Sequence, residues 1–103
     1  MKLHFPHSYE LSEATDRVRA LTDYWSKRYG ITTEWNGSQA TVAGKVRGVN
    51  FNGNIVIDEA ALNADLKVGF LAEKLGGKSY VERKIKEYLS PENDLEELRS
   101  RID

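Results

Sequence analysis

Apolar side chains recur at helical spacing in the first third of the chain. Three- and four-residue steps separate the members of this stripe, Ala14, Val18, Leu21 and Trp25. Such spacing places them on one face of an amphipathic helix. Ser12 is a suitable N-cap, and Gly30 is typical of the position just past a helix C terminus. We therefore expect a helix from Ser12 to about Tyr29, preceded by a short strand from Lys2 to His7.

From residue 31 the pattern changes to the alternation that is typical of strands. Asn36-Gly37 separates two alternating runs and is the preferred sequence of a two-residue hairpin turn. With this turn Trp35 would face Ser38, and one face would carry Ile31, Thr33, Trp35, Ser38, Ala40 and Val42. Arg47-Gly48 and Asp58-Glu59 are the next predicted turns. Because all these loops are short, the four strands must be antiparallel.

The third and fourth of these strands continue the alternation. Their apolar-face positions are Val49, Phe51, Gly53, Ile55 and Ile57, then Leu62, Ala64, Leu66, Val68 and Phe70. A glycine inside a strand is typical of a bend or of a close approach by another backbone. We expect one of these at Gly53.

A second helix is predicted from about Lys78 to Leu89, with Val81, Ile85, Tyr88 and Leu89 on its apolar side. Ser90-Pro91 ends it and can begin a last helical turn. The acidic tail beyond carries a narrow stripe, Leu95, Leu98 and Ile102, which is too short for a stable free helix. It could pack on its own domain, pair with another copy, or insert at an interface.

A sheet with one apolar face must cover that face, and two helices are available to do so. The sequence therefore predicts an α+β, two-layer sandwich. It would have an about five-stranded antiparallel sheet with two helices on one face, in the order β-α-β-β-β-β-α plus a short C-terminal helix. Residues 1–90 would form a single domain, followed by an amphipathic tail at 91–103.

Composition narrows the functional classes. The 103 residues suit one domain, and the net charge of −1 provides no global field for nucleic acid. The absence of cysteine excludes disulfides and thiol catalysis. We see no signal peptide and no apolar run long enough to span a membrane, so we expect a cytoplasmic protein. The oligomeric state is left open.

The residues that carry chemistry form no recognisable constellation. His4 and His7 alternate onto opposite strand faces, so we expect no metal site. The carboxylates fall mainly on polar faces and turns, and the hydroxyl groups have no fitting base. The nucleotide-loop-like segment 72–79 lacks the parallel sheet that such a loop requires. We therefore expect no catalytic residues, no cofactor and no enzyme activity.

Two groups of residues are candidates for binding. One group is apolar and could pack in the core, line a pocket between sheet and helices, or form an interface: Trp25, Trp35, Phe51, Phe70, Leu95, Leu98 and Ile102. The other is basic and could contact an anionic surface: Lys74, Lys78, Arg83, Lys84 and Lys86. Core packing for the aromatic residues and a solvated helix face for the basic ones are the simpler interpretations, and we favour them.

The stretch from residue 48 to 89 resembles the polyhydroxyalkanoic acid system family of small bacterial proteins, also called polyhydroxyalkanoate granule-region proteins. The resemblance rests on Gly48-Val49, Asn52-Gly53, Ile55, Ile57, the run 66–71, Lys78, and the Val81, Ile85 and Leu89 helix. Upstream, His7-Ser8, the helix from Ala14 to Leu21 and Tyr29-Gly30-Ile31 are also similar. The resemblance implies a link to storage granules or their metabolism, but no catalytic residues.

Two functional hypotheses follow. The leading one is a noncatalytic accessory or interaction protein whose helix or tail binds the granule surface or granule proteins. The alternative is a small carrier that holds an acyl or hydroxyacyl ligand between sheet and helices.

Overall fold

A computed structural model describes residues 1–69 and 76–101. The elements are β1 (Lys2–Pro6), α1 (Leu11–Tyr29), β2 (Thr32–Asn36), β3 (Gln39–Val46), β4 (Val49–Ile57), β5 (Ala61–Val68), α2 (Lys78–Leu89) and α3 (Leu95–Ser100). The five strands form one antiparallel sheet in the order β1-β5-β4-β3-β2. The predicted α+β class, strand number and element order are confirmed. The predictions for Phe70, Lys74 and Ile102 lie outside the described residues.

The sheet has one buried and one exposed face, as the alternation indicates. Large side chains of its buried face are Leu3, Val42, Phe51, Ile55, Leu62 and Leu66, which form one core with the apolar sides of α1 and α2. The opposite face of β4 carries Asn50, Asn52, Asn54 and Val56, all of them exposed. Both long helices therefore cover the same side of the sheet.

The N-cap of α1 lies two residues before the predicted one. The helix begins at Leu11, and Glu10 is its N-cap without a side-chain cap. Ser12, the predicted N-cap, lies exposed inside the first turn. The Ala14 amide already donates to the Glu10 carbonyl at 2.9 Å, so the backbone starts the helix before the serine. The predicted end is confirmed, because Gly30 adopts φ 73° and its amide donates to Ser26 O at 2.9 Å.

The register of the β2–β3 hairpin was predicted wrongly. Trp35 pairs with Ala40, not Ser38, and Asn36 pairs with Gln39, so Gly37-Ser38 forms the turn. Gly37 has the positive φ, 63°, that the first turn position can require. The error shifts the pairing by two positions. Since side chains alternate with a period of two, the predicted face survives the shift.

The next turn and the glycine of β4 follow the prediction. Arg47 and Gly48 have φ values of 52° and 79°, the double positive φ of a type I′ turn. At Gly53 a Cβ atom would lie 2.7 Å from Leu66 Cα and closer still to the Asp65 carbonyl oxygen. The backbone of β5 therefore approaches β4 too closely for any side chain at this position.

The C-terminal tail packs on its own domain. α3 is capped by Asp94, whose carboxylate accepts from the amides of Glu96 and Glu97, whereas the predicted start at Ser90-Pro91 lies in a turn. The predicted cap, Ser90, accepts from the Glu92 amide at 3.3 Å, whereas the Asp94 cap satisfies two free amides of α3. Leu98 is 0% exposed. The tail segment through Arg101 is thus part of the folded unit.

One buried cation joins the tail to α1. Arg17 is only 4% exposed, and its Nη1 donates to the carbonyl oxygens of Tyr88 at 3.1 Å, Ser90 at 3.1 Å and Asn93 at 2.7 Å. Its Nε donates to Glu13 Oε2 at 3.1 Å. Arg17 therefore binds the end of α2 and the chain leading into α3 to a single point on α1.

Candidate functional site

An apolar pocket of about 420 Å³ opens between the sheet, the end of α1 and the start of α2. Its volume lies within the range of small-molecule sites, about 300–1,000 Å³. Aliphatic and aromatic side chains form most of its wall: Ile31, Val46, Val49, Phe51, Val68 and Val81. Its lining includes Val46, Arg47 and Val49 at the β3–β4 turn and Trp25 and Tyr29 near the end of α1.

A cluster of three aromatic side chains supplies polar atoms in this wall. Trp25 Nε1 donates to the Tyr80 hydroxyl at 3.4 Å, and the hydroxyls of Tyr80 and Tyr29 are also 3.4 Å apart. Trp25 is 1% exposed and meets Phe51 edge to face, with ring centroids 5.7 Å apart. The indole is therefore held in the core with its ring beside the pocket.

The pKa values of Tyr80 and Tyr29 are shifted in opposite directions. Burial, and then the hydrogen bond to Tyr29, raise the pKa of Tyr80 above its usual value. The hydrogen bond from Tyr80 lowers the pKa of Tyr29, with Arg28 adding to the effect. Opposite shifts are those expected when Tyr80 donates and Tyr29 accepts. Tyr80 therefore keeps its proton and remains a hydrogen-bond donor.

Of the predicted aromatic candidates, Trp25 and Phe51 line the pocket and Trp35 does not. The Trp35 indole donates to Thr22 Oγ1 at 3.4 Å, and the Arg19 guanidinium lies 5.1 Å from its ring centroid. Phe70 is outside the described residues. The structure thus separates the two tryptophans into different environments.

Neither of the two apolar tail candidates that the structure describes, Leu95 and Leu98, is exposed. Leu98 lies in the core, and Leu95 is partly buried. Ile102 is outside the described residues. A partner could reach Leu98 only after α3 left the domain.

The basic candidates on α2 lie mostly in solvent. Lys78, Arg83 and Lys86 are exposed, and Lys74 is outside the described residues. Lys84 is partly buried, with its Nζ 3.3 Å from Glu87 Oε2 and 4.9 Å from the Tyr24 ring centroid. Three of the predicted anionic-surface contacts are therefore accessible, and the fourth already has a partner.

Of the described residues that line the pocket, only Trp25 and Phe51 were predicted candidates, and the missed ones include its three polar side chains besides Trp25: Tyr29, Tyr80 and Arg47. The tyrosines stand beside predicted apolar stripes and were not assigned to either face. Arg47 could have been recognised from the sequence, because the first position of a type I′ turn prefers Asn, Asp or Gly. A long basic residue there is unexpected for the turn alone.

The histidines serve separate local contacts. His4 Nδ1 lies 2.6 Å from Asn63 Oδ1, and His7 Nε2 lies 2.8 Å from the Asp58 carbonyl oxygen. Within residues 1–69 and 76–101 no group of three or more His, Cys, Asp or Glu side chains could hold a metal ion. In the same ranges no helix is both long and apolar enough to cross a membrane.

The fold and the pocket define a class: a small α+β domain with one covered sheet face and an apolar pocket between sheet and helices. The family comparison makes the assignment specific. The model of the family described as "Putative polyhydroxyalkanoic acid system protein" (PHA_gran_rgn) matches residues 1–92. The chain belongs to this family, and the resemblance proposed from the sequence is confirmed. No curated protein and no solved structure gave a significant match.

Proposed function

We propose that this protein is a noncatalytic accessory protein of the polyhydroxyalkanoic acid system that holds an acyl or hydroxyacyl chain in the pocket beside Trp25. The observation that carries the proposal is the apolar pocket of about 420 Å³ between sheet and helices. The family description supports the link to this system. The proposed location is the cytoplasm.

The pocket suits a chain better than a planar or highly polar ligand. Its wall is mainly aliphatic side chains and aromatic ring edges, which offer dispersion contacts without directional demands. Since the Tyr80 hydroxyl donates its one proton to Tyr29, the Tyr29 hydroxyl is the donor left to meet a carbonyl or hydroxyl oxygen of the ligand. An ester or hydroxyacyl group therefore matches both parts of the site.

The hypothesis that the tail binds a granule surface or a granule protein is less well supported by the structure than by the sequence. Leu98 is 0% exposed, so the central residue of the tail stripe is already used by the fold. Val81, Ile85 and Tyr88 of α2 are equally committed to the core. Binding at a granule surface would fall to the exposed Lys78, Arg83 and Lys86, which can attract anions but offer no apolar anchor.

Fluorescence of Trp25 tests the pocket directly. A Trp35→Phe variant leaves Trp25 as the single indole, and neutral methyl esters of linear acids from butanoate to octanoate serve as probes. We expect the emission of Trp25 to change on binding. Each added methylene should lower the Kd about fourfold, because burying one CH2 is worth about 0.8 kcal/mol.

Two matched variants identify the site. Val46→Phe adds volume to the pocket wall, whereas Val56→Phe adds the same volume on the opposite, exposed sheet face, where Val56 is 40% exposed. We expect only Val46→Phe to weaken ester binding. Equal binding by both variants, or a Kd independent of chain length, would contradict the proposal.

A further inference from the structure

Arg47 is an exception in the wall of the pocket. It is the one charged side chain among the described residues that line it. Its φ of 52° lies in the left-handed region, which a residue with a side chain adopts at a cost. Asn or Gly would form the same type I′ turn with less strain. Strain held at one residue beside a binding pocket points to a role in binding.

Two more guanidinium groups stand beside the tyrosines of the pocket. Arg28 Cζ lies 6.0 Å from the Tyr29 ring centroid, and Arg83 Cζ lies 5.6 Å from the Tyr80 ring centroid. Both rings line the pocket. The positive charge reaches the Tyr29 phenol, since Arg28 and Lys84 both contribute to its lowered pKa.

Like Arg19, these three arginines have no carboxylate partner among the described residues, whereas the remaining three arginines of the chain have one. Arg17 pairs with Glu13, and Arg99 and Arg101 pair with acidic side chains as well. Within the described ranges, by contrast, no carboxylate lies within 4.0 Å of the guanidinium of Arg28, Arg47 or Arg83. In the part of the chain that the structure describes, the pocket is thus apolar inside, with three guanidinium groups near it that have no ion-pair partner.

We propose that the pocket selects a linear carboxylic acid, with the chain in the apolar part and the carboxylate on the Arg47 guanidinium. The planar guanidinium matches a carboxylate with two parallel hydrogen bonds. Arg28 and Arg83 add longer-range attraction to the anion. This inference rests on the proposed function, because it assigns the head group of the same ligand.

Octanoate and methyl octanoate test the head group at constant chain length. In the Trp35→Phe protein we expect octanoate to bind about tenfold more tightly than the ester, the ratio typical of one charge-assisted hydrogen-bonded pair. The preference should decrease with added salt, since Arg47 is exposed. Arg28→Gln together with Arg83→Gln should reduce it further.

Arg47→Asn is the decisive variant because it does not threaten the fold. Asn suits the left-handed turn position, so the melting temperature should stay the same or rise. We expect this variant to lose the preference for octanoate while its affinity for methyl octanoate is unchanged. Lys45→Gln, which removes a neighbouring exposed cation that does not line the pocket, should keep the preference.

The outcomes separate the two proposals. Ester binding without any octanoate preference overturns the head-group assignment and leaves the apolar pocket in place. Failure of both probes overturns the proposed function, and this inference with it. Binding of octyl phosphate more than about tenfold tighter than octanoate would reassign the site to a phosphate head, against our choice of a carboxylate.

Discussion

Replacing Arg17 with Met tests how strongly the tail is bound to the domain. Methionine keeps most of the apolar stem of arginine but removes every donor. Three carbonyl oxygens, those of Tyr88, Ser90 and Asn93, would lose the Nη1 that they share. The Glu13 carboxylate would lose a partner as well, but its side chain is 46% exposed and water can replace the contact.

The expected loss comes mainly from the carbonyls. A hydrogen bond to a charged group is worth about 1.5–3 kcal/mol, and a buried acceptor without a partner costs about 1–3 kcal/mol. The three bonds share one donor atom and two of the carbonyls are only partly buried, so the terms do not add fully. We expect Arg17→Met to lower the free energy of unfolding by about 3 kcal/mol. For a domain of this size that corresponds to about 15 °C in Tm.

Urea unfolding followed by tryptophan fluorescence measures this loss of stability. Two further variants serve as a control and as the second member of a double-mutant cycle. Glu13→Gln should cost under about 0.5 kcal/mol, because the Glu13 side chain is 46% exposed and the glutamine amide oxygen can still accept from Arg17 Nε. Leu98→Ala should couple to Arg17→Met by about 1 kcal/mol in a double-mutant cycle, since both hold the tail on α1. If Arg17→Met costs no more than Glu13→Gln, the hydrogen bonds from Arg17 to the three carbonyls do not stabilise the protein, and our reasoning about the tail is refuted.

Two other positions give sharp expectations. Gly53→Ala places a Cβ atom 2.7 Å from Leu66 Cα, so backbone must move, and we expect a loss of about 2–3 kcal/mol in urea unfolding; an unchanged midpoint would show that the two strands separate easily. Asp58 accepts from the amides of Ala60 and Ala61, and these bonds lower its pKa from 3.8. A lowered folded pKa stabilises the protein above the unfolded pKa, and this contribution is lost as the pH falls through the folded value. Asp58→Asn should therefore be less stable than the parent at neutral pH, with the difference vanishing in acid; a difference that persists below the folded pKa would contradict this.

The alternating pattern predicted the faces of the sheet well. The face on which a side chain lies depends on whether its position along the strand is odd or even, and not on which residue it pairs with across the strands. The β2–β3 turn was placed one residue early, yet Trp35 and Val42 still fell on the predicted face. Turn chemistry alone could not choose between Asn36-Gly37 and Gly37-Ser38. The choice is also constrained by β4, since the Ile57 amide donates to the Ser38 carbonyl at 2.9 Å.

The pocket could be predicted only in part, because it forms between elements that are distant in the sequence. Trp25 and Phe51 were candidates through their size, but nothing in a one-dimensional pattern separates them from Trp35. Their different surroundings depend on where the end of α1 lies relative to the β3–β4 hairpin. The role of Arg17 was equally hidden, because a single arginine within a helix resembles any solvated charge.

The position of β1 at the sheet edge beside β5 has a consequence for folding. Strands β2 to β5 form a meander whose neighbours are joined by tight turns, so they can assemble from nearby contacts. The first strand must find a partner far along the chain, as the His4–Asn63 contact across 59 positions illustrates. Long-range pairings pay their loop-closure entropy before they gain contacts, and they slow folding. Strand β1 would then be the last to join the sheet, although it is the first of the five strands to be synthesised.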